Sequence, residues 1–315
     1  MNSFHLQKKF QISNVQYRGR FAPSPSGPLH FGSLVAALGS FLHAKSQNGL
    51  WFVRIEDIDK PREQAGSVDD ILNALESFGM VWDQDLQTNN ENNYRGCLVQ
   101  SNRLERYQQI FDDLKQQGLL YSCYCTRKEI KEMGGIYLGH CRNKQHRFDA
   151  HAVRIKQQAA QTEFTDLLHG KVNIDEQLMN EDYIVKRSDG LFAYQLVVVI
   201  DDIDQAITNV VRGVDIMELT PRQISLFNLF GIAPPSYLHL PLIVNDDGQK
   251  LSKQNKASAI NCSDPKPELL KALACLGLPV LSQSSLSALS IPDIIDWAIQ
   301  NWDINKIPTQ LNILL

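Results

Sequence analysis

The sequence predicts an α/β protein built on a parallel sheet that a chemically distinct insertion divides into two parts. Residues 20–57 are predicted to form an extended segment, a turn, a helix and a strand in succession, which is the opening of a parallel sheet. A second apolar run, Leu196 to Ile200, is followed by two aspartates and is typical of another central parallel strand. Between the two parts, residues 121–190 contain three of the six cysteines, several histidines and short strand-like stretches.

The composition indicates an ordinary globular protein. The 315 residues are 43% apolar and 21% charged, and 31 Lys+Arg against 35 Asp+Glu give a net charge of −4. The length allows about two domains, or one large domain with an insertion. No apolar run approaches the ~18 residues of a membrane span, and the first twenty residues do not resemble an export signal. We therefore expect a cytoplasmic monomer without membrane contact, whose cysteines do not form a disulfide framework.

The early elements follow from proline content and apolar spacing. Residues 20–28 are rich in proline and are expected to be extended and to end in a turn. A helix opened by His30 ends before Asn48-Gly49. Ser67 is expected to cap a second helix, and a third helix stops at Gly118.

The later elements are predicted in the same way. A helix begins at Asp215 or at Thr220-Pro221, and a strand covers Leu240 to Val244. A turn and a mobile loop follow over residues 245–253. Beyond Pro265, the chain is expected to form two short amphipathic helices.

The segment Pro28-Leu29-His30-Phe31-Gly32-Ser33 places a histidine and a glycine at the start of a helix. The N-terminus of a helix offers unpaired N–H groups and partial positive charge, which favour a phosphate. A glycine lets a nucleotide lie close to the backbone because it has no side chain. Taken alone, the segment is equally compatible with a plain connection between a strand and a helix.

The segment Lys250-Leu251-Ser252-Lys253 follows a glycine turn. Two lysines that flank a serine on a loop can close over a polyphosphate and neutralise charge that develops there. Taken alone, such a tetrapeptide is more typical of a solvated surface loop.

Together, these two segments resemble the two signatures of class I aminoacyl-tRNA synthetases, which bracket an α/β core. The strip from Arg20 to Gly27, with Arg54 to Asp57, resembles the glutamyl branch of that class. The resemblance extends from about Arg18 to Lys256 and covers most of the chain. Ser33 stands where many relatives have a second histidine, so that His30 carries more of the first signature.

The resemblance implies a Rossmann-like parallel-sheet catalytic core with an inserted zinc-containing subdomain and a short helical C-terminal region. The implied boundaries are an N-terminal extension at 1–17, a split catalytic domain at 18–110 and 191–240, an inserted zinc or acceptor-type subdomain at 111–190, and a Lys-Leu-Ser-Lys loop with short helices at 241–315.

For the amino acid, the resemblance implies that Arg20 binds the side-chain carboxylate of glutamate and that Glu56 binds its ammonium group. Arg20 suits this role because a guanidinium binds a carboxylate through two parallel hydrogen bonds. Tyr194 and Arg212 match the remaining glutamate contacts. The other residues implied at the glutamate site are Phe21, Ala22, Pro23 and Ser24.

For ATP, the resemblance implies contacts from the two signatures and a magnesium ion that accompanies the nucleotide. His30 and Lys253 are the expected catalytic residues, since they would stabilise charge on the phosphates from opposite sides. The residues implied at the ATP site are His30, Gly32, Lys250, Ser252 and Lys253. Arg54, Asp57, Asp59, Asp201 and Asp202 are expected to have structural roles, and an association of magnesium with the last two remains an alternative.

Length indicates which member of the branch the chain resembles. Only 62 residues follow Lys253, fewer than the large helical anticodon-binding region of a full glutamyl-tRNA synthetase needs, and residues 261–315 carry three Lys/Arg against five Asp/Glu. The expected reaction is tRNA-independent activation of L-glutamate with ATP, then transfer to the queuosine base in the anticodon of tRNA(Asp). The alternatives are a truncated enzyme that charges the 3′ end of tRNA(Glu), a nucleotidyltransferase with a similar first signature, and an inactive zinc-containing RNA-binding relative.

Cys123, Cys125 and Cys141 form the third candidate site. Thiolates are soft ligands that zinc prefers, and two cysteines one residue apart can share one ion. The resemblance implies Tyr137 as the fourth ligand, while His140 and His146 are the more conventional donors. A site with four protein ligands would be structural. Residues 127–147 also carry a local charge of +4, from six Lys/Arg and two Asp/Glu.

Overall fold

The computed structural model describes residues 16–85, 93–245, 248, 258–278 and 289–314. In these residues the strands are β1 (Arg18–Phe21), β2 (Leu50–Ile55), β3 (Leu98–Val99), β4 (Leu120–Cys123), β5 (Ala152–Ile155), β6 (Glu163–Asp166), β7 (Gly170–Asn173), β8 (Ile184–Lys186), β9 (Asn209–Gly213), β10 (Ser236–Leu240), β11 (Leu242–Val244) and β12 (Asn312–Leu314). The α-helices are α1 (Phe31–Ser46), α2 (Ser67–Ser77), α3 (Leu104–Gln116), α4 (Arg127–Glu132), α5 (Glu176–Met179), α6 (Tyr194–Asp204), α7 (Thr220–Leu229), α8 (Lys266–Cys275) and α9 (Ile291–Gln300). Short 3₁₀ helices cover Lys60–Arg62, Gln100–Arg103, Val214–Leu219 and Ile304–Lys306. Within these ranges every helix is too short or too polar to cross a lipid bilayer.

The central β-structure is parallel, as predicted. Strand β2 lies between β1 and β3, and all three run in the same direction. Strands β9, β10 and β6 form a second parallel group, which β7 extends with one antiparallel strand. The two groups meet where the Thr208 N–H, just before β9, donates to the Arg18 carbonyl at 2.9 Å. The strand order β3-β2-β1-β9-β10 therefore reverses between β1 and β9, and ligands of such sheets bind at the carboxyl ends of the strands that flank the reversal.

Helix α1 connects β1 to β2 and forms the centre of the largest core. Leu34, Leu38 and Leu42 have no exposed surface, which confirms the predicted apolar stripe. The helix passes close to β10, because a Cβ at Gly39 would lie 2.6 Å from Cδ1 of Leu240. The predicted C-terminal helices are present as α8 and α9, and both contribute to the same core. Helix α2 begins at Ser67 itself, with Gly66 as its N-cap, so the prediction that Ser67 caps this helix was wrong.

The apolar run Leu196 to Ile200 is not a strand. It lies within helix α6, and residues 195–203 of this helix are all buried. A helix that is buried on every side has no polar face, and therefore loses the 3.6-residue periodicity that distinguishes a helix from a strand. The two aspartates after the run belong to the same helix and do not end a strand.

The segment predicted as an insertion does not form a separate layer. Strands β4, β5 and β8 form an antiparallel sheet of their own, but β6 and β7 join the sheet that contains β9 and β10. The boundary expected at residue 110 falls inside α3, whose buried side chains share a core with β5 and α6. The limits expected for the inserted subdomain, residues 111–190, stay a prediction. Of the N-terminal extension, residues 1–15 lie outside the described part of the chain.

Candidate active site and metal site

Arg20 and Arg54 lie buried at the carboxyl ends of β1 and β2 and share one carboxylate. Asp202 of α6 accepts from Arg20 Nε at 3.1 Å and from Arg54 Nη2 at 2.6 Å. All three side chains are at most 4% exposed. Burial raises the pKa of Asp202, but the two guanidinium groups outweigh it and lower the pKa below its usual range. The carboxylate stays ionised and is paired with two arginines, a structural role as expected, and the alternative of magnesium association stays a prediction.

Glu56 follows β2 and points into the same region. Its side chain is 9% exposed, lies 3.7 Å from Arg54 Nε, and has an Oε1 atom without a hydrogen-bond partner. Burial raises the pKa of Glu56 to about 7, although the charges of Arg54 and Arg20 lower it. A buried carboxylate whose oxygen accepts no hydrogen bond is suited to a cationic group that arrives with a ligand.

Tyr194 and Arg212 come from different elements and converge on the same place. Tyr194 is the first residue of α6, not part of a strand as expected, and Arg212 lies in β9. Burial raises the pKa of Tyr194, and its phenol also senses the charges of Arg212, Glu56, Arg20 and Asp202. Arg20, Glu56 and Arg212 thus lie within electrostatic range of the Tyr194 phenol, and the volume around these four side chains is the candidate amino-acid site.

The chain between β1 and α1 forms one wall of this volume. The Glu56 N–H donates to the Pro23 carbonyl at 3.0 Å, which ties the proline-rich segment to the end of β2. Ser24 is exposed and lines a narrow cleft together with Glu56. Phe21 and Ala22 are partly exposed, and the Phe21 ring stacks on Trp51 with the centroids 6.4 Å apart.

His30 is the N-cap of α1. Its Nδ1 accepts from the Ser33 N–H at 3.2 Å, and its Nε2 lies 2.9 Å from Ser33 Oγ. Gly32, in the first turn, is partly exposed. Ala259 forms a β-bridge with His30, so the chain returns beside the start of α1 six residues after Lys253. Lys250, Ser252 and Lys253 themselves lie outside the described residues.

The predicted metal site is assembled. The Sγ atoms of Cys123, Cys125 and Cys141 all lie within 4.8 Å of one another. Cys123 and Cys141 are buried, and Cys125 is partly exposed, with its Sγ 3.5 Å from that of Cys141. Three thiols this close can hold one metal ion.

Two candidates for a fourth ligand lie beside Cys141. Burial raises the pKa of the Cys141 thiol, but hydrogen bonds from the Tyr137 hydroxyl and the Tyr124 backbone, and from Cys125 and His146, lower it to about 6. The Tyr137 hydroxyl oxygen also accepts a hydrogen bond from the backbone N–H of Cys141, with 2.7 Å between nitrogen and oxygen. Burial raises the pKa of Tyr137, and its hydrogen bonds to thiols raise it further.

His140, the third candidate, is exposed, and its Nε2 lies 2.8 Å from Lys144 Nζ. The geometry therefore retains Tyr137 and His146 beside the thiols.

Comparison with protein families identifies the fold. A model described as the catalytic domain of class I tRNA synthetases (E and Q) matches residues 16–290. The chain belongs to this family. This class I synthetase is accordingly an ATP-dependent ligase, and the parallel sheet with its reversal between β1 and β9 is the core of its catalytic domain.

Curated relatives match almost the whole synthetase. A protein of Vibrio vulnificus (strain YJ016), named glutamyl-Q tRNA(Asp) synthetase, is 48% identical over 304 residues, which cover 96% of this chain and 95% of the relative. A protein of Escherichia coli (strain K12) with the same name is 49% identical over 298 residues, covering 95% and 92%.

Solved structures of glutamate–tRNA ligases share the fold. The structure from Elizabethkingia meningosepticum, determined with its amino acid, is 25% identical with a TM-score of 0.73 and covers 94% of this chain. This chain spans 66% of that protein's length. The enzyme of Elizabethkingia anophelis is 24% identical, with a TM-score of 0.74.

Sequence reasoning missed the polar residues of the synthetase that hold Arg20 and Arg212. Asp202, which contacts Arg20, was assigned to a strand end, while Thr220, Gln223 and His239, which contact Arg212, received no role. The signal for His239 was present, since it is a histidine inside the apolar run Tyr-Leu-His-Leu. A histidine in such a position is buried and needs partners for both ring nitrogens.

We expect Asp202→Asn to lower the free energy of unfolding by about 3–5 kcal/mol, because it removes the anion paired with the buried Arg20 and the shortest ion pair of the buried Arg54. The matched control is Glu163→Gln, which removes an exposed ion pair with Lys171 and should change the free energy by less than about 1 kcal/mol. Denaturant unfolding measures both. If both variants change the free energy of unfolding by the same small amount, the buried ion pairs of Asp202 contribute little to stability.

Proposed function

We propose that this synthetase activates L-glutamate with ATP, in the absence of tRNA, and transfers the glutamyl group to the queuosine base of tRNA(Asp). The convergence of Arg20, Glu56, Tyr194 and Arg212 carries the proposal. Glutamate has two carboxylates and one ammonium group, and this site offers two guanidinium groups and one carboxylate. The charges of ligand and site are therefore complementary.

Each charged residue has a role in this proposal. Arg20 binds the side-chain carboxylate, and its pairing with Asp202 through Nε and Nη2 holds the guanidinium in place. Glu56 binds the ammonium group through Oε1, the oxygen that accepts no hydrogen bond. Tyr194 and Arg212 bind the remaining groups of the amino acid. Glutamine would present an amide NH2 donor to the N–H donors of Arg20 and leave part of the guanidinium unsatisfied, and such a site discriminates strongly against it.

Activation is an in-line displacement at phosphorus. An oxygen of the glutamate α-carboxylate attacks the α-phosphorus of ATP, the bond to the bridging oxygen breaks, and pyrophosphate leaves. His30, Gly32 and the N–H groups at the start of α1 face the phosphates, and Lys250, Ser252 and Lys253 close from the other side. Magnesium bound with ATP would supply further positive charge. Catalysis depends on positioning and charge stabilisation, as in phosphoryl transfer generally.

In the second step, a hydroxyl of the queuosine cyclopentene ring attacks the activated carbonyl, and AMP leaves. Support for this acceptor comes from the names of the relatives, which match at 48–49% identity over 95–96% of this chain. The likeness to glutamate–tRNA ligases favours a second candidate, in which the acceptor is the 3′ end of tRNA(Glu).

One set of assays separates these functions. We expect glutamate-dependent exchange of pyrophosphate into ATP without tRNA, and labelled glutamate on tRNA(Asp) that carries queuosine. The controls are an unmodified tRNA(Asp) transcript, tRNA(Glu), and queuosine-containing tRNA(Asp) from which the 3′-terminal adenosine has been removed.

Charging of the trimmed tRNA(Asp), with none of the transcript, supports the queuosine acceptor. Charging of tRNA(Glu) that is lost on trimming would replace it with the 3′ end. No exchange under any condition would indicate an inactive relative.

We expect Lys253→Ala to reduce pyrophosphate exchange by about 10²–10³-fold, since it removes a positive charge that stabilises the transition state. Glutamate binding, measured by calorimetry, should persist because the amino-acid pocket is unchanged. Lys171→Ala, which changes an exposed lysine of β7, is the control and should retain exchange. Unchanged exchange in Lys253→Ala would exclude Lys253 from the mechanism.

We also propose zinc as the metal of the thiol cluster, with Cys123, Cys125 and Cys141 and a fourth protein ligand. Thiolates favour zinc, and four protein ligands leave no open coordination position, so the ion would have a structural role. Tyr137 must lose its proton to bind the ion, whereas neutral His146 binds zinc directly.

We expect about one zinc per chain in the purified protein, and its loss in Cys141→Ser because one of the thiolates is removed. Cys262→Ser is the control, since this exposed cysteine lies outside the cluster. Metal analysis of Tyr137→Phe and His146→Gln identifies the fourth ligand. Full zinc retention in Cys141→Ser would refute the site.

A further inference from the structure

Three side chains hold the Arg212 guanidinium. Its Nε donates to His239 Nε2 at 3.1 Å, Nη1 donates to Gln223 Oε1 at 2.8 Å, and Nη2 donates to Thr220 Oγ1 at 2.7 Å. The arginine is 6% exposed. A guanidinium has five N–H donors, so these contacts leave one N–H on each Nη nitrogen for a further acceptor.

The contact between Arg212 and His239 requires one tautomer of the imidazole. Because arginine Nε can only donate, His239 Nε2 must present a lone pair, and the ring proton must be on Nδ1. His239 Nδ1 lies 2.7 Å from Asp166 Oδ2, which can accept that proton in a hydrogen bond. The carboxylate thus determines which ring nitrogen faces the arginine.

Asp166 is itself fixed by the backbone. Its Oδ1 accepts from the N–H groups of Leu168 at 2.9 Å and His169 at 3.0 Å, and its Oδ2 accepts from the His239 N–H at 3.0 Å. It is 2% exposed. Burial raises the pKa of this carboxyl, but its hydrogen bonds to His239 and to the backbone lower it below the usual range. The carboxylate is therefore ionised and held by four hydrogen bonds.

We propose that Asp166 and His239 are positioning residues of the amino-acid site. Asp166 fixes the tautomer of His239, and His239 fixes the Arg212 guanidinium so that its two remaining N–H groups meet a carboxylate of the substrate. The inference deepens the proposed function and depends on it, because it takes glutamate as the ligand of Arg212.

A purely structural role is the competing explanation. Strands β6 and β10 pair at a single position, Asp166 with Tyr237, so the bonds between Asp166 and His239 also hold these strands together. If the role is structural, replacing His239 lowers the stability of the protein whether the new side chain replaces Nδ1 or Nε2. If the role is positioning, glutamate binding requires a hydrogen-bond acceptor at the place of Nε2.

Two substitutions of His239 separate these explanations. The amide of His239→Asn replaces Nδ1 and keeps a partner for Asp166, but it offers no acceptor to Arg212. The longer side chain of His239→Gln places its amide oxygen near the position of Nε2. We expect His239→Asn to raise the KM for glutamate in pyrophosphate exchange by about tenfold to hundredfold, the range for losing a hydrogen bond to a charged group. We expect the KM for glutamate of His239→Gln to stay within about threefold of the wild-type value.

The experiment also measures the KM for ATP and the midpoint of thermal unfolding of both variants. A glutamate-specific rise in His239→Asn, relieved in His239→Gln, supports positioning. Equal KM values for glutamate in both variants, or a parallel rise for glutamate and ATP with a lowered midpoint, would overturn it.

Nitrogen NMR of histidine-labelled wild-type protein tests the tautomer without substrate. A proton on Nδ1 of His239 is expected, and a proton on Nε2 would refute the inference even if glutamate is activated. Absence of glutamate-dependent exchange in the wild type would refute the proposed function, and with it the role in substrate binding.

Discussion

The candidate amino-acid site depends on the buried carboxylate of Asp202, which lies between two arginines at the ends of adjacent parallel strands. Removing an unpaired guanidinium from water costs several kcal/mol, so Arg20 and Arg54 are tolerated at this depth because an anion is fixed beside them. Helix α6 supplies that anion, and its first residue, Tyr194, borders the same volume. One helix thus both neutralises the arginines and forms a wall of the pocket.

The segment between α3 and α6 is joined to the elements of this pocket by strand pairing and by hydrogen bonds. Its strand β6 adds to the sheet that contains Arg212, and its Asp166 reaches that arginine through His239. A second connection runs from Glu181 to Arg222 of α7, at 2.6 Å. Helix α7 also carries Thr220 and Gln223, which hold Arg212 directly. The segment that carries the thiol cluster and the body that carries the amino-acid site therefore share their hydrogen-bonded framework.

Local sequence best predicts helices that have one face buried in the core and the other exposed to solvent. Helix α3 was predicted from its apolar stripe, because one of its faces is buried and the other is exposed. Helix α1, which has no exposed residue, was predicted from its apolar spacing and from the turn residues that flank it. Helix α6 was predicted as a strand because burial on all sides removes the period that local reasoning uses. The charged residues of the site were found through motifs, but their partners were not, because Asp202 and His239 lie in no motif and owe their roles to distant chain segments.

The sequence by itself determined the fold class and the thiol cluster, and it supplied the two synthetase signatures and the candidate glutamate contacts, which stay predictions. These rest on residue type and short-range spacing, which the chain carries before it folds. Only the tertiary structure decided which groups neutralise the arginines, which histidine tautomer faces Arg212, and that β6 joins the central sheet. Such pairings join residues that are separated along the chain, by 148 positions for Arg54 and Asp202 and by 27 for Arg212 and His239. Their energies depend on burial, and burial is a property of the whole packed chain.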